Sequence, residues 1–182
     1  MRRLYRSLNR TGLVALICLL SHVGAAVAVS ASSIEELTLA YLYNFLKFTE
    51  WPAVDSINEM TICVSKAGRL AANPDALAGR LAQNKKVVIK SLDTLKDPRT
   101  CQILFLDQTE NSLNISQWLK QTEKLPILTV SDKPDFLDMG GMIMLIEADN
   151  RLQFEVDLTG VRNAGLNLNS QVLKIARDVR GK

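Results

Sequence analysis

Four short apolar runs, separated by polar or helix-patterned stretches, constrain the fold of this chain more than any other feature. They are Met60–Val64 (MTICV), Lys86–Ile89 (KVVI), Ile103–Leu106 (ILFL) and Ile127–Val130 (ILTV). The runs are continuous rather than alternating, as strands buried on both faces require. Between them lie a polar, weakly helical piece, Asp75–Leu81, and a helical spacing over Leu113–Lys120. Strands alternating with helical segments predict βαβ units and a largely parallel sheet covered by helices.

Two later runs differ. Met142–Ile146 and Leu152–Leu158 are joined by the short polar turn Glu147–Arg151, with Asp149-Asn150 in it, and the second run alternates. This pattern predicts an antiparallel hairpin at one edge of the sheet. Ser33-Ile34-Glu35-Glu36 is a capping box opening a helix. Its expected inner face is Ile34, Leu37, Tyr41, Phe45 and Phe48, and Pro52 ends it. A last helix, about Ser170–Val179, is expected to turn Val172, Ile175, Ala176 and Val179 inward. The expectation is one three-layer α/β domain spanning residues 33–180.

The N-terminus reads as an export signal. Arg2, Arg3, Arg6 and Arg10 precede the apolar run Gly12–Leu20, and Ala26-Val27-Ala28 supplies an A-x-A cleavage pattern. Residues 1–28 are therefore expected to be removed, with Val29-Ser30-Ala31 as the next option. The alternative is an uncleaved anchor, but the run is well short of the roughly 20 residues that span a bilayer. Ile17 before Cys18 is not small, which argues against a lipoprotein, and Arg2-Arg3 reads as ordinary n-region charge.

Composition changes meaning once that segment is set aside. It holds four of the 22 basic residues and none of the 19 acids, leaving 18 basic against 19 acidic residues, a net charge of −1. Basic character therefore gives no argument for nucleic acid. The only histidine, His22, and one of three cysteines, Cys18, also lie within it. The remaining 154 residues suit one core and one domain.

Cys63 and Cys101 form an even pair in an oxidising compartment and read as one disulfide. Two reduced core thiols are the other reading, since cysteine packs well as a small hydrophobe.

Without histidine, Ser-His-Asp and Cys-His catalysis and histidine zinc sites are excluded in their usual forms. No G-x-S-x-G, P-loop or G-x-G-x-x-G occurs, and the glycine pair Gly140-Gly141 matches none of them. Asp107 and Asp132 each follow a predicted strand, at the edge where open α/β sheets bind ligands. Ser131 stands beside Asp132. The competing role for these acids is capping of the turns that follow. Trp51 suits either a binding surface or the bottom of the core. Asn44 and Lys47 lie beside or opposite the apolar stripe. Asn44, Lys47, Trp51, Asp107, Ser131 and Asp132 are thus the candidate interaction or ligand surface, with no catalytic, metal or cofactor-binding residue assigned.

Specific blocks of sequence carry a resemblance. Tyr41-Leu42-Tyr43-Asn44-Phe45-Leu46-Lys47-Phe48-Thr49-Glu50-Trp51-Pro52 resembles the opening signature of the YfiR family of periplasmic proteins. Cys101-Gln102-Ile103-Leu104-Phe105, Leu128-Thr129-Val130-Ser131-Asp132 and Phe136 before Gly140-Gly141-Met142-Ile143 follow in order. Phe154-Glu155-Val156-Asp157-Leu158, Ala164-Gly165-Leu166 and Ser170 through Leu173 to Ala176 complete the series, over roughly residues 33–180.

The resemblance implies a Rossmann-like domain that is not an enzyme, and no cofactor is expected. It implies a periplasmic repressor that binds the periplasmic sensor region of a membrane-bound diguanylate cyclase, restraining cyclic di-GMP and biofilm formation. It implies dimers and redox sensitivity, with Cys63/Cys101 corresponding to one family disulfide. By spacing, Met144 and Arg151 stand where the prototype has a second cysteine pair across the hairpin, so control through that pair is unavailable here. Asp157 stands where family members usually show Asn, putting any shared local hydrogen bonding in doubt. A periplasmic small-ligand binding module using the strand-end cleft is the alternative function. A histidine-free hydrolase using Asp107 and Asp132 is the third.

Overall fold

The computed structural model describes residues 33–93, 96–148 and 151–181, all within the compact unit Ser32–Lys182. The expected export segment and the Asp149-Asn150 turn lie outside the described residues.

Helix α1 (Ile34–Phe48) opens on the predicted capping box, with both the Ser33 and Glu36 side chains bonded to backbone amides. Its fully buried residues are Thr38, Leu39, Leu42, Phe45 and Leu46. The expected stripe of Ile34, Leu37, Tyr41 and Phe48 only flanks that face, half-buried. The helix is apolar over more than one face, so spacing alone did not fix which side points inward. It ends before Pro52, because Thr49 turns extended and caps Phe45 O through its hydroxyl. β1 (Thr49–Glu50) then pairs antiparallel with β9 (Asn167–Leu168), a small sheet that the sequence pattern did not reveal.

The main sheet contains β2 (Glu59–Ser65), β3 (Leu81–Ala82), β4 (Lys85–Leu92), β5 (Ile103–Leu106) and β6 (Leu128–Ser131). β7 (Ile143–Ala148), β8 (Arg151–Asp157) and β10 (Asp178–Arg180) complete it. The spatial order is β10-β8-β7-β6-β5-β2-β4-β3. β4, β2, β5, β6 and β7 run parallel, while β7 and β8 form the predicted antiparallel hairpin. β10 adds three residues outside that hairpin, parallel to β8.

The buried side chains sort by strand alternation into two clusters, one on each face of the sheet. Met60, Ile62, Val64, Ile103, Phe105, Leu128 and Val130 join α1 in the larger cluster. Cys63, Leu104, Leu106, Ile127 and Phe136 join α2 (Ser112–Thr122) in the smaller one. Helix, sheet and helix make the three layers predicted from sequence. A disulfide joins Cys63 on β2 to Cys101 ahead of β5, with Cα atoms 5.7 Å apart, both residues buried in the α2-side cluster. It ties together two strands that already pair in parallel.

Three local expectations are corrected. Asp75–Leu81 forms turns leading into β3, and the helical turn of this crossover lies earlier, at Arg69–Ala72, where Leu70 reaches the core. The last helix is shorter than expected: α4 (Ser170–Ile175) stops, and Val179 is buried from β10 instead. Ile175 consequently faces out, 71% exposed. Finally, β4 is buried on one face only, with Lys86 and Lys90 exposed on the other.

The hairpin register also corrects the Met144/Arg151 assignment. Met144 pairs with Glu155 and Arg151 with Ala148, so these two positions are four residues out of register and no disulfide could span them. The cross-strand pair with the same spacing is Ile146 and Gln153. Neither is a cysteine, so the absence of a second bridge across the hairpin stands. Asp157 caps α3 (Leu158–Asn163) by accepting from Thr159 N and Gly160 N through one oxygen. An asparagine carbonyl could accept the same two bonds.

Candidate functional site

Strand order reverses between β2 and β5: the chain leaves β2 for β4 on one side and returns to β5 on the other. Such a reversal opens a crevice at the C-terminal ends of the parallel strands. Here an arginine fills it. Gly68 follows β2 so closely that a Cβ would lie 3.0 Å from Asp107 Cβ and 3.1 Å from Ser65 Oγ. The chain therefore passes directly over the end of β5 and delivers Arg69 between two acids.

Arg69 Nη1 donates to Asp107 Oδ2 at 2.8 Å, and Nη2 donates to Asp132 Oδ2 at 2.6 Å. The Arg69 amide also donates to Asp107 Oδ2, and Nε lies 3.9 Å from Glu35 Oε1 at the start of α1. The guanidinium carbon sits 5.8 Å from the centre of the Phe105 ring. One side chain thus joins α1, the β2 turn and the ends of β5 and β6.

Both acids are fully engaged. Asp107 Oδ1 accepts from the amide and hydroxyl of Thr109, while Asp132 Oδ1 accepts from Gln108 N at 2.7 Å. Burial pushes the Asp107 carboxyl up, but the Thr109 bonds and the Arg69 charge outweigh it and hold the group below its ordinary value. Burial likewise works against the Arg69 charge, and Asp132, Asp107 and Glu35 reverse that, raising its pKa. A carboxylate bonded at both oxygens and held ionised is poorly suited to abstract a proton. The arrangement is built to hold loops in place.

Beside this clamp lies a cleft of about 620 Å³. Ile34, Met144, Ile146 and Leu152 give it apolar surface, and Arg69, Asp132 and Asp135 form part of its charged wall. Among the described residues, five carboxylates line it (Glu35, Asp132, Asp135, Glu147 and Glu155) against two guanidinium groups, Arg69 and Arg177, an excess of negative charge. Arg177 and Glu155 face each other at 3.6 Å.

The six candidate residues divide into separate places. Asp107 and Asp132 meet at the clamp, and both also stabilise turns. Ser131 adjoins them but is fully buried, donating to Leu106 O at 2.5 Å and accepting from Lys133 N, so it shapes the loop rather than offering a contact. Trp51 belongs to the core at 6% exposure, with its indole N–H donating to Leu46 O. The surface reading of Trp51 is thereby corrected: the chain folds back after Phe48 and carries the ring under α1. Asn44 and Lys47 are exposed on α1, and neither lines the cleft beside the clamp.

Arg69 was missed in the sequence because it belongs to no periodic pattern. The signal was positional: it follows the Met60–Val64 strand by a few residues, as Asp107 and Asp132 follow theirs.

The sequence profile of the YfiR/HmsC-like family matches residues 35–177, which includes α1 from its second residue, the disulfide, the clamp and the hairpin. The chain belongs to the YfiR/HmsC-like family. Members of this family are periplasmic regulators of diguanylate cyclase signalling and act, in general, on a membrane partner rather than as catalysts. No curated protein matches the chain. Among the described residues no helix is long and apolar enough to cross a membrane.

Proposed function

We propose that this YfiR/HmsC-like protein is exported by cleavage of residues 1–28 and grips the periplasmic sensor region of an inner-membrane diguanylate cyclase. By binding the low-activity state of that sensor more tightly, it represses the cyclase, lowering cyclic di-GMP and biofilm formation. The family match over residues 35–177 carries this reading. A ligand that shifts a two-state equilibrium needs only differential affinity, a few kcal/mol for a nearly complete switch. A rigid, disulfide-tied scaffold with its strand-end loops clamped by Arg69 suits that task. The test is crosslinking in intact cells, with capture of an inner-membrane cyclase expected. Deletion of the gene should raise cyclic di-GMP.

The cleft beside the clamp favours a second reading, a small-ligand sensor that modulates the same partner. Its excess of carboxylates disfavours a nucleotide and favours a ligand bearing positive charge. A ligand present at a hundred times its Kd adds about 2.7 kcal/mol to stability, so thermal-shift screening of the purified protein discriminates the readings.

A further inference from the structure

β6 stops at Ser131 while β7 runs on to Ala148, and the ladder between them ends at the pair Ser131 and Met144. Past that pair, alternation fixes which backbone groups of β7 face its open side. Asp157 N donates to Met142 O, so Met142, Met144 and Ile146 turn their backbone N–H and C=O toward β8. Those of Leu145 and Glu147 point the other way, beyond the end of β6. Lys133 N, the next donor along that chain, turns back to the Ser131 hydroxyl instead of reaching Leu145 O. Leu145 O and both backbone groups of Glu147 are thus without a backbone partner among the described residues.

The cleft of about 620 Å³ lies along this edge, touching Met144, Leu145, Ile146 and Glu147 in succession. Their side chains alternate between the two faces of the sheet: Leu145 belongs to the α1-side cluster, and Met144 packs against the α2-side one. A cleft that meets four consecutive residues of a strand follows its edge rather than either face. Open edges invite another strand, and proteins guard them with short strands, charges or covering loops. The outer edges of this sheet are short, two residues in β3 and three in β10. The β7 edge instead opens into a built cleft, and the one charged residue on the strand is Glu147.

Glu147 and Asp135 have no cationic partner among the described residues, whereas Asp132 is bonded to Arg69 and Glu155 faces Arg177. The unneutralised charge along the edge is therefore negative. A second copy of this chain would bring another Glu147 and the same carboxylates to the edge, and like charges oppose that pairing. The complementary occupant is an extended segment with basic side chains.

We propose that the β7 edge binds an extended, lysine- or arginine-bearing segment of a partner polypeptide by strand addition. Glu147 N donates to a carbonyl of that segment, Leu145 O and Glu147 O accept from its amides, and its basic side chains meet Glu147 and Asp135. Main-chain bonds supply affinity in this mode, and alternate side chains supply selectivity. The inference goes beyond the proposed function, since strand addition can fail while cyclase repression through another face stands.

The test is fluorescence anisotropy of a labelled hexapeptide alternating lysine and valine, blocked at both ends, titrated with the exported, purified protein. Saturable binding is expected, with the Glu147 amide protected from hydrogen exchange in the complex. The same peptide N-methylated at its interior amides keeps its charge but cannot donate, and should bind at least roughly ten-fold more weakly. Glutamate in place of its lysines should abolish binding. Glu147→Pro removes the cleft-facing N–H and leaves the β8 ladder intact, as proline can at a strand edge. It should weaken binding at least roughly ten-fold, against about two- to five-fold for Glu147→Ala, which loses only the charge. A thermal melt shows whether the proline variant folds; if it does not, the methylated peptide decides. No binding of the lysine–valine peptide, or equal binding by Glu147→Pro and Glu147→Ala, would overturn the proposal. Equal binding of the methylated peptide would also overturn it, assigning the cleft to a small cation. So would dimerisation that Glu147→Pro abolishes and that excludes the peptide, which would give the edge to a second copy.

Discussion

Arg69 and Asp107 meet at 2.8 Å across the point where the sheet reverses its strand order, with the Asp107 side chain only 2% exposed. In many open α/β domains that crevice receives a ligand. Here the chain's own guanidinium occupies it, bonded to two carboxylates and facing a third. The strand ends are thereby locked, and the remaining cleft is displaced toward the hairpin and the start of α1.

Removing one partner of the clamp should be costly. Arg69→Met leaves Asp107 buried and ionised with only the Thr109 bonds and the residue-69 amide. A loss of about 3 kcal/mol is expected, the range for breaking a buried pair from one side. Urea unfolding checks it, and a cycle with Asp107→Asn should show that the two changes are not additive.

Acid should act through the same contact. The Asp107 carboxyl is held below its ordinary value of 3.8 in the folded state. The unfolded chain therefore takes up this proton first as pH falls. The carboxylate's contribution is fully present above the unfolded value and is lost as pH drops through the folded one. Stability measured from neutral pH down through the carboxylate range should fall more steeply for wild type than for Asp107→Asn.

Much of this architecture was legible in the sequence because local chemistry and burial agree there. The capping box, the two-face-buried runs at β2, β5 and β6 and the alternating β8 each state their own environment. The misreadings arose where tertiary context decides. The inward face of α1 depends on which side meets the sheet. Helical spacing turns Ile175 toward the core, but the helix stops there and the chain re-enters the sheet as β10. Asp107 and Asp132 were placed correctly at the strand ends, whereas Arg69 and Glu35 emerge only when the turns converge.

The disulfide should contribute substantially to stability. It closes a separation of 38 residues, for which the chain-entropy estimate is about 4 kcal/mol. Cys63→Ala with Cys101→Ala should lower the urea midpoint accordingly. Because both cysteines are buried, reductant should act slowly on the native protein and faster in mild denaturant.

Gly140-Gly141 matched no ligand motif, and the structure gives it a packing role. Gly140 adopts φ +96°, and a Cβ on Gly141 would fall 2.1 Å from the buried Phe136 ring. Gly141→Ala should therefore cost about 1–3 kcal/mol through displacement of that ring. A thermal melt of the variant measures this.

Trp51→Ala should cost about 3–5 kcal/mol, as for other large core truncations. If Trp51 served a surface instead, the same substitution would leave stability nearly unchanged and reduce partner capture alone.

The central claim is repression of a membrane cyclase by direct periplasmic contact. Crosslinking in intact cells, paired with cyclic di-GMP measurement in the deletion strain, tests it most directly. An inner-membrane diguanylate cyclase is expected in the crosslinked product, with a raised cyclic di-GMP level in the deletion. No cyclase in that product, with cyclic di-GMP unchanged across several growth conditions, would contradict it.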